Sequence, residues 1–130
     1  MKWEFSAQDK FLQYQEYIDT ALVPLVQLEL GADFSRSLSL ATWLTGICHA
    51  LEEQLTGRVM LFPAHTYVAS KAKESVVEDI RLSSNYFREH GFKHVVYAYV
   101  IEEEDKLTEE MDDETYCMLA VSFPEQSEEG

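Results

Sequence analysis

The chain has 130 residues, 46% of them hydrophobic and 26% charged, with a formal net charge of −14. That is room for one domain with a real core and too little for two ordinary ones, and the composition excludes a disordered or fibrous protein. The charge is also unevenly placed: residues 102–130 carry twelve acidic residues and one lysine, whereas residues 1–101 carry twelve acidic and nine basic ones.

The body is therefore nearly neutral, and no stretch clusters the Lys and Arg that a phosphate backbone or an anionic lipid surface requires. Nucleic acid is not an expected partner. The longest apolar run, Val95–Ile101, is far shorter than the ~20 residues of a membrane helix, so no membrane insertion is expected. The opening MKWEFSAQDK has acidic and polar residues where a signal peptide needs an apolar stretch, and a cytoplasmic location is the expectation. Cys48 and Cys117 are too few and too isolated for a disulfide framework or a zinc site, and read as buried reduced thiols.

In chain order, Ser6 is placed to cap a first helix whose apolar face is Ala7, Phe11, Tyr14 and Ile18. A strand follows at Ala21–Leu28. Pro24 within it lacks a backbone donor, which predicts an edge position or a bulge. A helix from about Ser37 to Thr56 turns Leu40, Leu44, Ile47, Cys48, Leu51 and Leu55 to one face, and Gly57 follows it.

Arg58–Phe62 is a nearly continuous apolar run, the pattern of a strand covered on both faces, and Pro63 ends it. Ser70 is placed to cap a third helix reaching His90, with Val76, Val77, Ile80 and Phe87 inward and Gly91 as its stop. His94–Val100 is a third strand. The segment EEEDKLTEEMDDE then connects to a last strand at Thr115–Phe123. Strands alternating with helices predict an α/β, three-layer fold: a small, mostly parallel sheet of about four strands with helices on both faces. Residues 1–124 read as a single domain containing an acidic connection at 102–114, and residues 125–130 as a disordered acidic tail.

MKW at the start, EYIDTALVPL at 16–25, GRVMLFPAHTY at 57–67 and GFKHV at 91–95 together resemble the bacterial YpiF-like family of small uncharacterised proteins. The resemblance covers the body to about residue 101. It implies no assigned activity, and the family's gene neighbourhood, beside a menaquinol–cytochrome c oxidoreductase, implies an association with respiration. A weaker likeness is to creatininase-type metal-dependent amidohydrolases, which carry metal ligands in a Gly-containing loop after a strand. Aligned on Gly31, this chain has Leu28 and Leu30 at the ligand positions, and leucine binds no metal.

No phosphate-binding loop, Gly-x-Ser-x-Gly elbow or zinc-spaced Cys/His cluster is present, so no catalytic residue, metal site or cofactor is assigned. His49 and Glu53 lie one helical turn apart, on the face turned away from the core. His65 follows a strand by a few residues. It is therefore expected at the carboxyl edge of a parallel sheet, where ligands bind in such folds.

Glu29 follows the first strand in the same way, and Tyr67 and Glu102 stand on neighbouring loops. His65, Glu29 and Tyr67 are thus the candidate ligand-binding residues, with His65 expected to titrate above its free value beside a carboxylate. On the third helix Leu82 and Tyr86 form an apolar pair on the outer face, a candidate contact for a homodimer or an unknown protein partner. The leading function is a non-catalytic binding or accessory protein. The alternative is a small hydrolase-like enzyme using a strand-end crevice with His65 and Glu29.

Overall fold

The computed structural model describes residues 1–101 and 115–124. Its first helix is shorter than the periodicity predicts. A 3-10 turn at Phe5–Ala7 leads into α1, Gln8–Tyr14, and Ser6 caps neither. Ile18 keeps its place in the core from outside the helix.

The chain then runs β1 (Thr20–Leu28), α2 (Phe34–Gln54), β2 (Val59–Leu61), β3 (His65–Val68), α3 (Lys73–Glu89), β4 (His94–Val100) and β5 (Cys117–Val121). The acidic connection 102–114 and the tail 125–130 lie outside the described residues, and so does Glu102.

Every strand pairing is parallel, in the order β2-β1-β4-β5, with β3 also alongside β1. β2 pairs with the first half of β1 (Thr20 to Leu22) and β3 with the second (Leu25 to Leu28). The two short strands thus share one sheet position, broken at Pro63-Ala64. This break accounts for Pro24, whose strand is central rather than at the edge. Phe62 N–H donates to Leu22 O, so Leu22 turns its backbone groups toward β2. Pro24, two residues on, turns to the same side, and its missing donor faces the gap where no partner strand runs.

Alternation along β1 divides the core in two. Leu22 and Val26 pack with Leu44 and Cys48 of α2 on one face. Ala21, Val23 and Leu25 pack with Val76, Val77 and Ile80 of α3 on the other, where Phe11 of α1 also lies. The fold is therefore a three-layer α/β sandwich. Gly91 ends α3 as expected, with φ of 99°, a left-handed conformation that a side chain would strain. Cys48 is buried, and burial pushes its thiol up to about 11, leaving it protonated. Cys117, expected to be buried, is exposed: β5 is the edge strand among the described residues and turns only Val121 fully inward.

The amino edge of the sheet is tied shut. Asp19 and Thr20 N–H donate to Arg58 O, His94 N–H donates to Asp19 O, and the Arg58 guanidinium pairs with Asp19. Beside β2, Met1 and Lys2 extend the sheet: Leu61 N–H donates to Met1 O and Trp3 N–H to Leu61 O. Glu52 on α2 completes this corner. It is buried with 3% of its side chain exposed, and it pairs with the Met1 ammonium and with Lys2 Nζ, while Thr56 Oγ1 donates to it at 3.0 Å.

Candidate functional site at the carboxyl edge

After β1 the chain crosses over α2 to β2 on one side. After β3 it crosses over α3 to β4 on the other side of β1. The two connections leave the carboxyl ends of β1 and β3 for opposite faces of the sheet, and such a divergence leaves a crevice. Here it is a cavity of about 320 Å³, floored by Leu25, Val26 and Leu44, with Glu29, Asp33, Arg36, Ser37, Tyr67 and Tyr99 among its lining residues. That volume lies at the small end of the range for small-molecule sites.

Ser37 fixes the entrance. Its Oγ donates to Gln27 O at 3.1 Å and accepts the Glu29 N–H at 3.3 Å, latching the first turn of α2 onto the end of β1. Glu29 Oε1 accepts the Gly31 N–H at 2.8 Å, folding the side chain back over its own loop. A methyl group at Gly31 would stand 2.9 Å from that oxygen and would displace the flexible Glu29 carboxylate from this bond. Asp33 occupies the N-cap position of α2 but makes no capping bond there. Two carboxylates and a guanidinium can hold a polar or charged ligand by charge and hydrogen bonds, while Tyr67 and Tyr99 pack against the α3-side core. The described residues place no histidine or cysteine beside them.

Glu29 and Tyr67 therefore meet in the crevice, and His65 does not. The strand ended by Pro63 resumes at once, so His65 is the first residue of β3, level with Leu25 rather than beyond a strand end. Glu29 lies four positions further along, roughly 13 Å at the strand rise. The His65 ring stands edge-on to Tyr97 with centroids 6.5 Å apart, on the α3 face. Burial holds its pKa below the ordinary histidine value, with Lys71 acting in the same sense and Asp79 opposing. The expected upward shift is thus reversed, because desolvation outweighs the nearby carboxylate. Tyr97 itself is fully buried, and burial raises its pKa; its Oη makes no hydrogen bond of normal geometry.

The remaining candidates are dispersed. His49 is half-buried against a hollow of about 210 Å³ at the β2–β3 break, whereas Glu53 is exposed. Among the described residues, no three His, Cys, Asp or Glu side chains converge on one point, and no helix is long and apolar enough to cross a membrane. Leu82 and Tyr86 are each 60% exposed on the outer face of α3, and Tyr86 lies over His90 with ring centroids 4.2 Å apart. Sequence reasoning missed Glu52. Its position one turn beyond Cys48 and two beyond Leu44 put a carboxylate on the buried stripe, and that was the available signal.

Comparisons with known proteins agree with this picture of an uncharacterised α/β protein. The chain is 35% identical over 68 residues to the "Uncharacterized protein YpiF" of Bacillus subtilis (strain 168). The match covers 52% of this chain and 46% of the relative, so the chain spans about half the length of the curated relative it matches. None of these findings carries the weaker likeness to creatininase-type amidohydrolases. No solved structure matches. A family model described as "Protein of unknown function (DUF2487)" matches residues 9–129, and the chain belongs to that family.

Proposed function

We infer that the protein is a non-catalytic, cytoplasmic binding or accessory protein whose binding site is the carboxyl-edge crevice. The observation that carries this reading is the cavity of about 320 Å³ at the divergence of the two crossovers, with Glu29 and Tyr67 among its lining residues. The hydrolase-like alternative needs His65 and Glu29 to act on one substrate, and their separation along β1 gives it no support. The test is a thermal-shift screen of small polar compounds (amino acids, sugars, nucleosides, dicarboxylic acids) together with native mass spectrometry of the protein purified without refolding. At least one bound species or stabilising compound is expected with the wild type. Its effect should disappear in Glu29→Gln and Tyr67→Ala. Ligands held equally by both variants would move the site elsewhere.

Leu82 and Tyr86 extend this reading to a second surface, a homodimer or partner contact on α3. Sedimentation of Leu82→Asp is then expected to show a lighter species than wild type. Equal masses at all concentrations would remove the homodimer.

A further inference from the structure

Exposed apolar side chains stand at the same edge of the sheet as the crevice. Leu28 and Val68, the last residues of β1 and β3, are register partners, so their side chains share a face of the sheet. Leu28 has the same parity as Leu22 and Val26, which places both on the α2 side. On α2 itself, Phe34 and Glu52 lie about five helical turns apart and so share one angular position, with Leu38 one turn after Phe34. Glu52 reaches Met1 and Lys2 beside β2. Trp43, about half a turn round the helix from Phe34, faces the other way: its indole N–H donates to Ser122 O at 2.9 Å, next to β5.

Phe34 and Leu38 therefore flank α2 toward the β2–β3 side, above Leu28 and Val68. These four side chains are 42% to 54% exposed, and Leu30, at the tip of the loop they surround, is 82% exposed. Large apolar residues scattered singly are ordinary on a surface; five at one edge of the sheet, beside the crevice, read as an interaction patch.

The charges at the same edge say what kind of partner fits. Asp33 is not engaged in capping its helix, and Glu29 uses one oxygen on its own loop. Arg36 also lines the crevice. The chain leaves this edge at Ile101, and the sequence written after it is Glu-Glu-Glu-Asp, the start of the region that supplies most of the −14 charge. A second copy of the chain would bring like charge to like charge at this edge, whereas a cationic partner is drawn to it.

We propose that the carboxyl edge docks a basic amphipathic peptide segment of a partner protein, with a Lys or Arg entering the crevice toward Glu29 and Asp33 and its apolar neighbours covering Leu28, Phe34, Leu38 and Val68. The proposal rests on the crevice being the binding site and adds the class of its partner. The probe is a library of random dodecapeptides displayed on phage, selected on the full chain. The enriched peptides are then synthesised and their affinities measured by fluorescence anisotropy.

Enriched sequences are expected to set Lys or Arg between apolar residues, and binding should weaken with added salt. The double variant Glu29→Gln/Asp33→Asn should lose about tenfold in affinity, and Phe34→Ser/Leu38→Ser should lose at least as much. Amide NMR spectra of both variants confirm that the fold is retained. Acidic or uncharged winners, no enrichment, or affinities that neither variant changes would overturn the proposal. So would a drop in sedimenting mass for Phe34→Ser/Leu38→Ser without peptide, which would show a second copy on this face. If the small-compound screen still finds a ligand dependent on Glu29 and Tyr67, the crevice stands as a binding site and only the partner class falls. If neither experiment responds to Glu29, both readings fall together.

Discussion

At Glu52 a carboxylate is buried against the α2 stripe, and its pKa is held at about 2 against an ordinary 4.5. Burial alone would raise it; the bonds from Lys2, the Met1 ammonium and Thr56 more than reverse that. A depressed carboxylate stabilises the fold fully above its unfolded pKa and loses that contribution as pH falls from about 5 toward 2, on the order of 2–3 kcal/mol here. Glu52→Gln should therefore lose stability of that order at pH 7 in urea titrations and little at pH 2. A wild type whose stability stays level over that window would contradict the pairing.

His65 behaves in the opposite sense to the sequence expectation. Its NMR titration midpoint should fall below 6.5, and because the fold favours the neutral ring, stability should decline as pH drops below about 6.5. A midpoint above 6.5 would restore the carboxylate-dominated environment. Both residues show where a one-dimensional pattern stops. The helical wheel locates position 52 on the buried stripe but cannot show that Lys2, fifty residues away, arrives to neutralise it. Pro63 correctly marks the end of β2, but nothing in His-Thr-Tyr-Val announces that pairing resumes.

Among the elements, β1, β2, β4 and β5 were legible because each is an apolar or alternating run bounded by turn residues. The sharing of one sheet position by β2 and β3 was not, and with it went the reading of Pro24 as an edge residue. A proline inside a central parallel strand is tolerated only because its neighbour is interrupted beside it. The ends of α2 also shifted: the helix begins at Phe34 and stops at Gln54, so Leu55 leaves the apolar face and is exposed. The crevice was legible in part. Its edge followed from the strand–helix–strand order and Glu29 from its place after β1, whereas Tyr67, expected on a loop, stands on β3, and Asp33 and Ser37 emerge only once α2 is laid on the sheet.

The junction between α3 and β4 is set by Gly91, and it offers a test at this scale. Gly91→Ala should cost about 1–2 kcal/mol in chemical denaturation, because an L-residue is disfavoured at positive φ. An unchanged midpoint would mean that α3 ends in a different conformation.

Across the whole molecule, protection is graded outward from β1. That strand is bonded on both sides and buried from Ala21 to Val26, and Tyr97 and Ala98 beside it in β4 are fully enclosed. Native-state hydrogen exchange should be slowest in residues 21–26 and 95–98. It should be faster in β3 and β5, which have a single paired side among the described residues. Equal rates across all five strands would deny the central place of β1.

The all-parallel pairing has a consequence in time. Among the described residues no two paired strands meet through a tight turn: even the most local ladder joins Val96 to Cys117, and β1 must wait for His94 to emerge before its neighbour on the other side exists. Each pairing closes a loop of about twenty residues or more, so the sheet has no hairpin to nucleate it and assembles late rather than zippering from one end. During synthesis at the ribosome the central strand is made early and completes its pairing only once β4 has emerged. The nascent chain therefore passes through a stage in which its future centre is its most adhesive surface.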